Sequence, residues 1–502
     1  MKKESALNLS INILSFALSM GLSFWITPFI VHSLGEASYS FVPTTYQIVS
    51  YMSVITVSVT AISGRFFTIS KTRGDQQTAQ AYFSSTLAAT LLLSAVLLIP
   101  LALSNLFLHQ ILNIPPALLS QVRLAHGIAC AVFLVTFFTA SFNIAPFAAN
   151  KLYLTGSINI VQTVVRTFAT FVVCVAFVPS IPLVMLCYLV AAVCMLALSV
   201  VVFKRLEPTV KITPRGATKT KEMLSSGMWA SLSEIGVILF LQIDLFVANR
   251  TLSPFDAGQY AVVLQLPTLL RSFASAVTSI FTPVVVSLYA QKKITQTISY
   301  INRAVKYTGL LLSLPIGILC GLGATFLSLW IGPSYRSQQM ILAVLTLHLA
   351  INLPVQIIMS IQTAQNKLKI PAFATVILGA LNFAAAYVLA GPCKMGALGI
   401  AISGSVVLTL KNLVFTPLYA AHITNQPWYA YLPGILKPLF STAAVAALCL
   451  YLQSALHIEH FFSFFGVCIV VSVIYFAAVW LFLLEKQERQ SCLAFLKERV
   501  GK

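Results

Sequence analysis

The chain has 502 residues, 58% of them hydrophobic and only 9% charged, with a mean hydropathy of +0.91. Soluble domains carry roughly 25% charged residues, so composition excludes a soluble globular protein and implies a polytopic membrane protein. The net charge of +19 does not imply nucleic acid, because the basic residues are spread between apolar runs without a clustered basic face. Topology and anionic inner-leaflet lipid account for them.

A membrane span needs about 20 apolar residues. The opening Met-Lys-Lys-Glu-Ser leads into a long apolar run with no small-residue cleavage site after it, so a first spanning helix is expected rather than a removed signal peptide. In chain order, spans are predicted near 8–31, 39–62, 82–104, 122–145, 156–178, 181–203, 226–248, 258–289, 307–330, 339–361, 370–391, 397–420, 433–454 and 461–484, about fourteen helices. Pro28, Pro43, Pro146, Pro267, Pro283, Pro315 and Pro354 predict kinks, which membrane helices tolerate. The nine cysteines show no CxxC or Cys/His ligand spacing and are read as packing residues.

Lys and Arg sort by side. With fourteen spans, 24 fall with the two termini, 4 (Arg123, Arg250, Arg336, Lys394) on the opposite side, and Arg166, Arg271 and Lys411 inside spans. That asymmetry places both termini in the cytoplasm. The longest cytoplasmic connector, Lys204–Ser226, is basic and contains two prolines. Asn150-Lys-Leu152 recurs as Asn366-Lys-Leu368, and Gly35 to Tyr39 opens the second span much as Asp256-Ala-Gly-Gln-Tyr260 opens the eighth. These matches favour a duplicated six-helix unit with parallel repeats. The expected divisions are a lobe at 1–205, a basic linker at 206–225, a second lobe at 226–422, and helices 13 and 14 with a tail at 423–502.

The charges inside the spans are the candidate functional residues, because an ionised group at bilayer depth faces a bundle interior or a watery cavity. Arg271 and Arg166 lie near mid-span and Lys411 in the inner half of span 12. Arginine forks match phosphate oxygens, so a cationic cavity for an anionic cargo is expected. The alternatives are that Arg271 pairs with Glu234 or Asp244, and that Lys411 snorkels to the interface. Glu234 is either a proton or Na⁺ coupling carboxylate or a neutralising partner. Asp244 lies near the outer end, where it is expected to be solvated or paired with Arg250, with a coupling role as the alternative. On span 8, Gln265, Thr268, Ser272, Ser275, Ser279 and Thr282 are spaced 3, 4, 3, 4 and 3 residues apart, one polar face of a helix. Span 1 carries the ladder Asn8, Asn12, Ser15, Ser19, Ser23, Thr27, which serves either a sugar path or helix packing.

Several stretches carry a family resemblance: Thr27-Pro-Phe-Ile-Val-His-Ser-Leu-Gly35 leading to Tyr39, Arg65-Phe-Phe through Gly74-Asp75, and above all Trp229 through Gln242-Ile-Asp244, Gly258-Gln-Tyr260, Gln265-Leu-Pro267 and Pro283. Through these and its span count the chain resembles Wzx-type polysaccharide flippases of the multidrug/oligosaccharidyl-lipid/polysaccharide exporter superfamily. Ser40 stands where that family often has glycine. The resemblance implies two pseudo-symmetric six-helix lobes around a central cavity, plus two C-terminal helices. It further implies alternating-access transfer of undecaprenyl-pyrophosphate-linked oligosaccharide across a bacterial cytoplasmic membrane, for O-antigen or other surface polysaccharide. The expected partners are the lipid-linked oligosaccharide, membrane lipid, and a polysaccharide polymerase with glycosyltransferases. The cavity set is Arg271, Arg166, Gln265, Thr268, Ser275, Asn12 and Lys411, with Glu234 and Asp244 as coupling residues. No cofactor is expected beyond H⁺ or Na⁺ as a coupling ion. A multidrug exporter, a lipid II flippase and a non-transporting scaffold of a glycan-synthesis complex stay open as alternatives. No Walker A, Gly-x-Ser-x-Gly or HExxH pattern occurs and the seven histidines are scattered singly, so an enzyme is not expected.

Overall fold

In a computed structural model of the chain, the structure describes residues 2–210, 231–232, 234–365, 367–456, 458–486 and 488–490. The protein is an all-α polytopic membrane protein. Among the described residues, 13 helices are long and apolar enough to cross a bilayer, and they match thirteen of the fourteen expected spans one for one. The remaining expected span, 226–248, overlaps 211–230 and 233, which lie outside the described residues; so does most of the basic linker. The second copy of the Asn-Lys-Leu signal, at Asn366, begins outside them too.

The chain folds into two compact units, Met1–Val262 with Lys369–Ser403 and Val263–Leu368 with Gly404–Lys502. In the first, α1 (Lys2–Leu34) is followed by α2 (Glu36–Tyr39), α3 (Phe41–Ser50), α4 (Ser53–Thr72), α5 (Gln76–Leu106), α6 (Leu119–Ala140), α7 (Leu152–Ala176) and α8 (Ile181–Leu206). The second span departs most from expectation. Predicted at 39–62, its apolar window is Ser53–Thr72, and a turn at Tyr51-Met52 separates it from α3. That break leaves α3 only 10 residues long, too short to cross a bilayer by itself; within it Thr44 and Thr45 donate back to the carbonyls of Ser40 and Phe41 at 2.7 and 2.6 Å.

Part of the span 1 ladder is a helix seam. Asn8 Nδ2 donates to Asn150 O at 2.9 Å, Tyr153 N donates to Asn8 Oδ1 at 2.8 Å, and the hydroxyls of Ser19 and Thr163 meet at 3.1 Å. Each bond joins α1 to α7 or to the residues that lead into it. An apolar core fills the space among α3, α5, α6 and α8, with Phe41, Leu97, Val122, Ala125 and Met185 buried. At one end of this unit Lys71 and Glu207 form an ion pair that ties α4 to α8. There Gly74 turns with φ 75° and Asp75 caps α5, accepting from Thr78 N at 2.9 Å.

Beyond 231–241, which is helical apart from undescribed residue 233, the chain continues through α9 (Asp244–Thr251), α10 (Pro254–Val263), α11 (Gln265–Ser279), α12 (Thr282–Ala290), α13 (Ile294–Trp330), α14 (Gln339–Leu347) and α15 (Leu349–Asn352). Next come α16 (Lys369–Ala390), α17 (Gly396–Leu410), a π-helical turn Lys411–Phe415, α18 (Thr416–Thr424), α19 (Pro433–Ala455) and α20 (Phe461–Ala478). The second unit is built on α13, whose membrane window is 67% buried against 11% for the last span. Gly309, Gly317 and Gly321 lie against Pro438, Val445 and Cys449 of α19, where added Cβ atoms would collide. Small residues at this spacing let membrane helices approach closely. The last two spans pack along α13, and Tyr475 donates from α20 to Leu310 O at 2.6 Å.

Candidate functional site

Two polar clusters, one in each unit, collect most of the residues that apolar spans would otherwise exclude. In the first unit the helix broken at Tyr51-Met52 lies beside the stretch broken at Gln242-Ile243. A helix break frees main-chain groups that must find partners within the protein. Here Gln47 Nε2 and Tyr51 Oη both donate to Gln242 O, at 2.6 and 2.9 Å, and Ser50 Oγ donates to Gln242 Oε1 at 3.0 Å. One turn away, Ser53 donates to Glu234 at 3.0 Å. Glu234 and Asp244 thus flank one hydrogen-bonded seam between spans 2 and 7.

Asp244 is neither solvated nor paired with Arg250. It is 4% exposed and accepts from Tyr260 Oη at 3.3 Å, while Arg250 donates to Gln110 O at 3.1 Å. Tyr260 is itself fully buried. The correction has a local cause: the break at Gln242-Ile243 turns α9 so that Asp244 opens it from inside the unit.

Arg166 stands on α7 with its guanidinium over the ring of Tyr188, 5.0 Å from the centroid. That ring lies 6.1 Å from the ring of Tyr46 on α3. Among the described residues no carboxylate pairs with Arg166. A cation on an aromatic face keeps its charge and its N–H donors available to a further ligand. Asn12 is exposed on α1 and lies over Gly156, where an added Cβ would stand 2.9 Å from Asn12 Oδ1.

In the second unit Arg271 is half-buried on α11, and Thr268, Ser272 and Ser275 are exposed along the same helix, with Gln265 half-buried. Among the described residues Thr268, Ser272 and Ser275 thus form an exposed polar stripe on α11. Farther along, Thr282 meets Ser360 at 3.0 Å. Lys411 is 6% exposed and begins the π-helical turn, so it does not snorkel.

Sequence reasoning missed a network beside these residues. Asn412 Nδ2 donates to Asn352 Oδ1 at 3.0 Å; Asn352 Nδ2 in turn reaches Thr409 Oγ1 at 3.1 Å and His348 Nδ1 at 2.7 Å. His348 sits at the junction of α14 and α15, within electrostatic range of Arg271. As in the first unit, two irregular helices are stitched together by amide side chains. Discontinuous helices and π-turns in membrane proteins concentrate at ligand sites. Pro354, the one signal in sequence, marked the kink without its partners.

No protein-family model matches the chain. It is 38% identical over 497 residues to a Bacillus subtilis (strain 168) protein described as the uncharacterized membrane protein EpsK, covering 99% of this chain and 98% of that one. Among solved structures, the lipid II flippase MurJ in an inward closed conformation matches with a TM-score of 0.67, at 15% identity over 95% of this chain and 99% of MurJ. An inward-facing multidrug resistance MATE family transporter of the MOP superfamily matches at 0.64, with 12% identity over 88% of this chain and 99% of that one. A eukaryotic MATE transporter, AtDTX14, matches at 0.62, with 11% identity over 89% and 98%. The fold is therefore the one shared by these MATE transporters and MurJ.

Proposed function

The chain belongs to the family of the Bacillus subtilis membrane protein EpsK, and from its MOP-type fold we propose that it is a flippase for an anionic, lipid-linked oligosaccharide. The cargo is an undecaprenyl-pyrophosphate-linked repeat unit, moved by alternating access from the inner to the outer leaflet of a bacterial cytoplasmic membrane. Both termini are cytoplasmic in this reading. A polysaccharide polymerase and glycosyltransferases act on the same cargo and are its partners.

The observation that carries this reading is Arg166, a guanidinium at span depth, stacked on Tyr188 beside Tyr46 and without a carboxylate among the described residues. A cationic drug would be repelled from such a site. A pyrophosphate gains charge-assisted hydrogen bonds, and aromatic rings offer apolar faces to sugar C–H groups. Glu234 and Asp244, in the seam between spans 2 and 7, are the groups proposed to bind a coupling H⁺ or Na⁺.

The test is Arg166→Ala in a cell that depends on this chain for surface polysaccharide. Surface glycan should fall at least tenfold while lipid-linked units accumulate and protein abundance in the membrane is unchanged; Arg166→Lys should retain part of the activity. Normal glycan display by the alanine variant would overturn the reading. Lysis with peptidoglycan precursor accumulation, in place of glycan loss, would reassign the cargo to lipid II.

A further inference from the structure

One side chain of α3 breaks the pattern of its helix. Thr44 and Thr45 donate to main-chain carbonyls, and Gln47 and Ser50 donate to Gln242. The hydroxyl of Tyr46 makes no hydrogen bond among the described residues, and the residue is 40% exposed. Its ring stands 6.1 Å from that of Tyr188, which in turn carries the Arg166 guanidinium 5.0 Å from its centroid. Arg166 and Tyr188 lie roughly 15 Å and roughly 10 Å from the turn that joins α7 to α8, at 1.5 Å per residue. Hydrocarbon at that depth would leave a guanidinium and a phenol hydroxyl without partners, at a heavy cost. The exposed side of Tyr46 therefore suits water or a polar ligand. The ring itself adds a second property: its π face is negative, and the axial C–H groups of a pyranose are polarised positive, so a sugar lies flat on it. In a glycosyl pyrophosphate the first sugar is bonded to the phosphate itself. Anion and sugar thus sit one ring apart, as the guanidinium and the Tyr46 ring do.

We propose that Tyr46 is a specificity-determining residue of the cargo site: its exposed ring stacks on the pyranose bonded directly to the phosphate that Arg166 holds. This division of the cargo, charge to Arg166 and first sugar to Tyr46, rests on the flippase reading. Tyr188 is a positioning residue, seating the guanidinium on its π face beside the Tyr46 ring. A stacking face reads the C–H side of a sugar ring and not a particular hydroxyl. It therefore separates glycosylated carrier from bare carrier, which keeps the anion contact alone.

The test measures equilibrium binding to the full chain in nanodiscs with two probes, a short-chain polyprenyl pyrophosphate and the same lipid bearing one glucose. The wild type should bind the glycosylated lipid about tenfold more tightly than the bare one. Tyr46→Leu should erase that preference, lowering affinity for the glycosylated lipid far more than for the bare one. Tyr46→Phe, which keeps the ring, should keep most of the preference, and Arg166→Ala should weaken both lipids. Equal wild-type affinity for the two lipids overturns the assignment of Tyr46 while sparing the flippase reading, and that comparison needs no variant. Weakening of both lipids alike by Tyr46→Leu also overturns it, since Tyr46 would then only support the seat of Arg166. Failure of the wild type to bind either lipid, or full binding of both by Arg166→Ala, sinks the flippase reading itself, and the sugar subsite falls with it.

Discussion

At Gly258 a single missing side chain decides whether two helices can meet. A Cβ built there would overlap the carbonyl oxygen of Glu36 in α2, and main chain cannot swing aside as a side chain can. Gly35, just before Glu36, takes φ 77°, a conformation glycine adopts without strain. The two stretches that look alike in sequence, Gly35 to Tyr39 and Ala257 to Tyr260, therefore touch, which repetition alone does not predict. Gly258→Ala should destabilise the protein by at least the usual overpacking cost of about 1–3 kcal/mol. Gly21→Ala, inside α1 where nothing lies within 4 Å, should not destabilise and should gain up to about 1 kcal/mol from helix propensity. Thermal unfolding of the two purified variants checks the contrast, and equal stability would mean that the contact relaxes freely. At this scale the Gly74-Asp75 pair was readable in advance, since a glycine ending one helix and an aspartate capping the next are both local devices. Arg166 was readable as a charge out of place. Its seat on Tyr188 was not, because nothing local links α7 to α8 ring by ring.

Between elements, the breaks do what the apolar runs cannot. Span positions could be read from sequence because each needs only its own 20 or so apolar residues. The breaks at Tyr51-Met52 and Gln242-Ile243 could not, because the donors that satisfy Gln242 O come from residues 195 and 191 positions away. The same holds for His348, whose partner Asn352 is tied to Asn412 across 60 positions. The double donation to one carbonyl makes a sharp prediction. Gln47→Leu or Tyr51→Phe alone leaves Gln242 O with one donor, and each should cost about 0.5–1.5 kcal/mol. The double variant strands the carbonyl in a part-buried seam, and its cost should exceed the sum of the singles by about 1 kcal/mol or more. A double-mutant cycle on thermal stability measures the coupling. Strict additivity would show that water or a shift of the turn replaces the lost donors.

Across the whole chain, the last span is secured by a clasp rather than by burial, of which it has little. Glu488, beyond the end of α20, accepts from Lys306 Nζ at 2.7 Å, from Tyr307 Oη at 2.7 Å and from the main-chain N–H of Glu485 at 2.8 Å. Glu485 also reaches Lys437, at 3.9 Å, at the start of α19. The tail is thus tied to α13 and approaches α19 at one end of their unit. That arrangement joins residue 306 to residue 488, and the count of basic residues on each side did not anticipate it. Burial pushes the Glu488 carboxyl up, but the bonds from Lys306, Tyr307 and the Glu485 main chain outweigh it and hold the group below the usual carboxylate range. A carboxylate depressed in the folded state adds stability above its unfolded value, about 4.3, and loses that contribution as the pH falls through the folded value. Glu488→Gln leaves Lys306, which is 6% exposed, with Glu485 at 4.0 Å as its remaining carboxylate among the described residues. It should lower stability near neutral pH by about 1.5–3 kcal/mol, the cost of losing hydrogen bonds to a charged group. The gap between wild type and variant should hold steady from neutral pH down to about 5.5, then close on further acidification as wild-type Glu488 protonates. Melting curves of both proteins across that range decide the matter. A gap that persists unchanged into acid would mean that shape, and not charge, holds the tail in place.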